Sequence, residues 1–213
     1  PFFVLVNLIS FTAYISLIAL FAPRMWEVQA RASLGAFAGV FVVTVFVNAF
    51  VEFFFHRYVL HAALLPFLFH FYKQHAVVHH GLTAVAAKKI PGKEGQLRIE
   101  DHYAIVSEKQ HTASFFPWYT FSTFVILFTP FLALAQWLLP SMPIFLAGSA
   151  GLLWSLFFYE TLHRFQHWLP SEWLWQKLLT HPLFGPIARE VYAFHKHHHL
   201  VPRSNESISG FFG

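Results

Sequence analysis

Cysteine is absent from the 213 residues, so thiolate zinc sites, iron–sulfur clusters, disulfides and cysteine nucleophiles are all excluded. Charge is scarce too: Asp, Glu, Lys and Arg make up 11% of the chain, less than half the share usual in a soluble domain. A chain that is 56% hydrophobic and 20% aromatic is not a disordered one, because disorder needs low hydrophobicity and high charge. Carboxylates number only 10, whereas histidines number 15, a reversal of the usual balance. The net charge of +4 is small and acts through its placement.

The scarcity of charge has a pattern. Residues 1–23 contain none, residues 32–51 contain none, and residues 110–159 form a charge-free stretch of 50. A membrane-spanning helix needs about 20 mostly apolar residues. The long stretch therefore holds two spans, divided where Pro140-Ser141-Met142-Pro143 breaks the helix. The expected fold is all-α, a single membrane domain built as a four-transmembrane-helix bundle. Its spans lie near 1–22, 34–60, 116–139 and 144–167, and Pro130 kinks the third. No basic segment precedes the first apolar run, which reads as a mature span and not as a cleavable signal.

Orientation follows from lysine and arginine. Only Arg24 and Arg31 fall on the side of the 23–33 and 140–143 loops; the other twelve basic residues fall with the termini and the 61–115 segment. That side is expected to be cytoplasmic. Segments 61–115 and 168–213 form a helical cap there, with a Gly/Lys-rich loop at 88–98 and an interfacial tryptophan belt of Trp168, Trp173 and Trp175. No nucleic-acid-binding pattern accompanies the basic residues.

Ten histidines fall in four clusters. These are His56 and His61; His75, His79 and His80; His163 and His167; and His195, His198 and His199. At about 100° per residue, positions four apart share a helix face, so His75 pairs with His79 and His163 with His167. His56 and His61 are about 140° apart on an ideal helix and converge only through a bulge or a helix end. Neutral imidazole suits iron, zinc, copper and nickel, and ten ligands oversupply one ion but fit two. Two ions with an open position make a catalytic arrangement. Glu52 and Glu160 precede the first and third clusters near the ends of spans. There they are expected to orient ligating histidines, or to pair with Arg57 and Arg164. His70, His102, His111, His181 and His197 stand outside the pattern, with His111 nearest to it.

In these four clusters, and in the His56-Arg57 and His163-Arg164 pairs, the sequence resembles the fatty acid hydroxylase/sterol desaturase superfamily of integral membrane di-iron enzymes. The resemblance covers most of the chain from 52 to 199. It implies two iron ions held by the ten histidines, with zinc in their place in some isolated members, and O2 as co-substrate. It implies oxygen insertion or hydrogen removal at an unactivated C–H of a lipid, most readily a fatty acyl chain. It also implies a haem- or iron–sulfur-type electron donor as a separate partner. Two features depart from the pattern: an insert at 81–111, and an end at Phe211-Phe212-Gly213 that reads as a truncation. The alternatives are a carotenoid or sterol oxygenase of the same superfamily, a metal transporter or sensor with a histidine-rich face, and a scaffold around structural zinc. Transport would need ionisable residues deep within the spans, where the sequence has none. Phe53, Phe54, Phe55, Phe157, Phe158 and Tyr159 flank the clusters as candidates to line a lipid tunnel. Gly148 and Gly151 would permit close helix contact.

Overall fold

The computed structural model describes residues 2–64, 66–89, 91, 97–169, 172–202 and 204. It is mostly helical. The chain opens with α1 (Phe2–Phe21), α2 (Pro23–Arg31) and α3 (Leu34–Phe55), and α3 runs on as a π-helical turn over His56–Leu60. Next come a 3₁₀ turn (Pro66–Leu68), α4 (Phe69–Tyr72), a second π-helical segment (Lys73–His79) and α5 (His80–Leu82). Strands β1 (Val85–Lys89) and β2 (Leu97–Asp101) follow, and then α6 (Glu108–Ser114), α7 (Thr120–Leu138), α8 (Ile144–Gln166), α9 (Trp173–Thr180) and α10 (Gly185–Leu200). Four helices are long and apolar enough to cross a membrane: Phe2–Phe21, Leu34–Leu60, Thr120–Leu138 and Ile144–Gln166. Pro130 lies inside α7, and the Pro140–Pro143 break separates α7 from α8.

The chain divides into two compact units, residues 1–50 with 116–159 and residues 51–115 with 160–213. In the first unit, Phe121, Val125 and Leu132 of α7 pack with Ile144, Phe145, Leu152, Leu153 and Leu156 of α8 to form the buried core. Polar residues inside this apolar packing are all bonded, as burial demands. Asn7 is fully buried; it donates to Phe3 O and accepts from Phe121 N, so α1 caps the start of α7. Gln29 donates to Gln136 Oε1 and accepts from Leu146 N, while Gln136 donates to the carbonyls of Leu139, Pro140 and Met142. Two glutamines thus bond backbone groups of the α7–α8 turn from both sides.

Gly148 and Gly151 are used for packing within the chain. A β-carbon on Gly151 would stand 2.9 Å from Thr44 Cβ and 3.1 Å from Phe41 O, and one on Gly148 would stand 2.9 Å from Leu132 Cδ2. Gly39 faces open space. Gly151→Val is therefore expected to destabilise the chain in detergent by about 1–3 kcal/mol through overpacking, which lowers Tm by about 2–4 °C per kcal/mol. Gly39→Ala serves as the neutral control, and equal melting of the two variants would contradict the close α3–α8 approach.

The second unit departs from the all-α expectation. β1 and β2 form an antiparallel hairpin with Val85 opposite Asp101 and Lys89 opposite Leu97. Leu97-Arg98-Ile99-Glu100 alternates apolar and polar residues, the signature of a half-buried strand. Lys88 Nζ meets Glu100 Oε2 at 2.5 Å. The tip of the Gly/Lys-rich loop, at 90 and 92–96, and the last residues of the chain lie outside the described residues. The tryptophan belt is also corrected. Trp173 is 66% exposed with Lys177 Nζ 4.1 Å from its ring centre, but Trp175 is 1% exposed, stacked on Phe165 and tilted against Tyr192. Trp175 belongs to the core of this unit.

Candidate metal centre

All ten clustered histidines belong to the second unit, and it brings them together. Eight are at most 6% exposed, and His61 and His75 are partly buried. His70, His102, His111, His181 and His197 are exposed.

Local backbone geometry produces the convergence. In the π-helical turn His61 N–H bonds to His56 O at 3.0 Å, one residue beyond the α-helical spacing. That extra residue per turn brings positions five apart onto one face, and the two rings lie 4.6 Å apart. The second π-helical segment repeats the device: His80 N–H bonds to His75 O, and their rings lie 5.0 Å apart. On α8, His163 and His167 sit one turn apart with rings at 4.7 Å. On α10, His195, His198 and His199 share one face by their spacing of three and four.

Three groups result, the last two sharing His79: His56, His61, His75 and His198; His79, His163, His167 and His195; and His79, His80 and His199. Within each group the candidate ligand nitrogens all lie within 4.8 Å of one another. Nitrogens on opposite sides of one ion, each about 2.1 Å from it, are about 4.2 Å apart, so the cages are only slightly wider than closed ones. His80 touches both sides, with its ring 4.7 Å from those of His61 and His198 and 4.2 Å from that of His199. His56 Nε2 approaches His75 Nε2 to 3.1 Å, and His195 Nε2 approaches His167 Nε2 to 3.1 Å.

Which nitrogen faces inward is set by the partner of the other one. His167 Nδ1 donates to Tyr103 O at 2.7 Å, and His198 Nδ1 donates to Ser204 O at 2.9 Å, since a carbonyl can only accept. Ser114 gives its own proton to Gln110 O, so its oxygen accepts from His79 Nδ1 at 2.8 Å. Thr83 gives its proton to His79 O and accepts from His199 Nδ1 at 3.1 Å. Anchoring one ring nitrogen fixes the tautomer and leaves the other as a ligand. Accordingly, Nε2 of His61, His79, His198 and His199, and both ring nitrogens of His80, are buried without a hydrogen-bond partner. Such atoms are costly in a native interior, and a cation would satisfy them all. The donor set fits a transition metal bound by nitrogen.

The electrostatics favour the same state. Burial, reinforced by His198, lowers the His61 pKa to about 3, and burial lowers that of His167 to about 4. Burial, with the neighbouring imidazoles second, also lowers His75, His79, His195 and His199 well below their ordinary value. The rings are therefore neutral at pH 7, the form that binds metal.

The remaining candidates are placed as follows. Glu52 on α3 and Glu160 on α8 are part-buried, and neither is without partners. Arg57 is exposed, with its guanidinium 5.8 Å from the Tyr58 ring centre. Arg164 donates to His111 Nε2 at 3.2 Å and lies 4.8 Å over Phe115, whose ring is 5.8 Å from that of His163. Sequence reasoning missed the orienting groups Thr83, Ser114 and the carbonyls of Tyr103 and Ser204. Thr83 had a signal, since it lies one helical turn after His79; the carbonyls had none.

Comparison of the chain with known protein families, curated proteins and solved structures finds no match.

Proposed function

We propose that the chain is a membrane-bound di-iron oxygenase that hydroxylates or desaturates an unactivated C–H of a lipid, with a fatty acyl chain as the favoured substrate. The observation that carries this reading is a set of ten histidines gathered into three close groups, eight of them buried, in which His79, His198 and His199 have an anchored outer nitrogen and an unpartnered inward one. The resemblance of the four spacings to the fatty acid hydroxylase/sterol desaturase superfamily supports it, as do four helices able to cross a membrane.

Two reduced iron ions held there would supply the activation of dioxygen. The chain's residues do the rest. His56, His61, His75 and His198 would hold one ion and His79, His163, His167 and His195 the other, with His80 and His199 joined to the second group through His79. Burial excludes water, so reactive species are not lost to solvent. The apolar spans give a lipid access from the bilayer, and hydrophobic fit sets chain position only modestly per methylene. The distribution of basic residues puts the site on the cytoplasmic side, where an external haem or iron–sulfur protein supplies electrons.

The test is metal content per chain in detergent for the full chain and for His163→Ala, followed by lipid profiling of expressing cells. About two iron or zinc ions per chain, fewer in the variant, and new hydroxylated or unsaturated lipids are expected. Metal near zero, or a single ion indifferent to His163, would overturn the reading in favour of a sensor or scaffold.

A further inference from the structure

The 81–111 insert touches the histidines at several points, and these points are not evenly shared. Thr83, two residues before β1, holds Nδ1 of His199 and the carbonyl of His79. Tyr103, two residues after β2, holds Nδ1 of His167 through its carbonyl, and its ring lies 4.5 Å from His167 and 5.2 Å from His199. The Gln110 amide on α6 ties the ends of the hairpin together by donating to the carbonyls of Leu82, His102 and Ala104. The same helix ends at Ser114, which holds His79 through its hydroxyl. Asp101 at the end of β2 pairs with Lys196 on α10 at 2.5 Å.

Three ligands are therefore anchored from the insert and α6: His79, His167 and His199. Two of them belong to the four-histidine group that includes α8, and His199 belongs to the group that shares His79 with it. None of these bonds reaches His56, His61, His75 or His198. The anchor described for that group comes from the far end of the chain, Ser204 O on His198 Nδ1.

We propose that the insert, with α6 that follows it, is a positioning element for one of two metal sites, with Thr83 and Ser114 as the positioning residues, while the other site assembles without it. The proposal rests on the dimetal reading above. A histidine whose outer nitrogen loses its acceptor rotates freely and must also leave an N–H buried and unpaired, and such outer partners are worth about 10–100-fold in metal affinity. That loss falls on one ion only.

The test is a Co2+ titration of the purified full chain in detergent, followed by its visible absorption. The wild-type chain is expected to take two ions. Thr83→Val, which keeps the shape and removes the hydroxyl, is expected to take one as before and the second about 10–100-fold more weakly, with about half the absorption unchanged. Thr83→Ser should restore both. Equal weakening of both ions, or no change at either, would overturn the proposal. If Thr83→Val does not fold, Ser114→Ala gives the same comparison. A wild-type chain that binds no Co2+ would overturn the metal reading itself, which separates that failure from this one.

Discussion

His79→Ala is expected to remove more metal than any other single ligand replacement, leaving about one ion per chain or fewer, and to lower lipid oxidation by at least about 100-fold, as loss of a ligand exceeds loss of an outer partner. His79 is the one histidine shared by two of the three groups. Its ring lies within about 5 Å of five others, at 5.2 Å from His75, 5.4 Å from His80, 5.0 Å from His163 and His167 and 4.9 Å from His199. Its loss also releases Ser114, so α6 loses a contact to the site. His70→Ala is the matched control: it removes an exposed histidine nine residues upstream in the same segment and should leave metal content unchanged. Metal analysis of the two variants decides the point. A His79→Ala chain that keeps its full complement would show that the three groups are not one centre.

Much of this was legible in the sequence, and the unread parts share a cause. Absence of charge marked the four long helices, because a run without Asp, Glu, Lys or Arg has no polar face to offer water. Helical spacing marked His163 with His167, which share a group, but His75 and His79 part into different groups because their segment is π-helical and aligns His75 with His80 instead. The irregular His56/His61 spacing required a bulge, and the π-helical turn supplies it. What was not legible depended on contacts between distant segments. The hairpin is short, one strand begins Val85-Ala86-Ala87, and strand propensity is weak where packing decides. Trp175 looked interfacial because its neighbours Trp168 and Trp173 invited a common reading, but burial of one tryptophan depends on what Phe165 and Tyr192 place beside it. To the carboxylates Glu52 and Glu160 named from the sequence, the fold adds the hydroxyls of Thr83 and Ser114 and the carbonyls of Tyr103 and Ser204, uncharged groups of lower desolvation cost that suit a cage of neutral rings.

Acid should dismantle this site well before it denatures an ordinary helical protein. Burial lowers the pKa values of His61 and His167 on folding, to about 3 and about 4, and those of His75, His79, His195 and His199 well below the ordinary value, against about 6.5 in an unfolded chain. Between those limits the unfolded state binds more protons than the folded one, so stability rises with pH across the window and falls as pH drops. The contribution is fully present above about pH 6.5 and is lost progressively from there toward pH 4 and 3. Each such group contributes on the order of 1 kcal/mol per pH unit inside the window, and several act together. The metal-free chain in detergent is therefore expected to melt at a nearly constant temperature from pH 8 to pH 7 and at steeply lower temperatures from about pH 6 to pH 4.5. The metal-loaded chain should begin to release its ions in the same window, because protons and metal compete for the same nitrogens. Aspartate and glutamate cannot account for a fall that starts at pH 6, as their ordinary values lie near 4. A melting temperature independent of pH from 7 to 4.5 would mean that the folded rings take up protons as readily as unfolded ones, which would contradict a cage that burial keeps neutral.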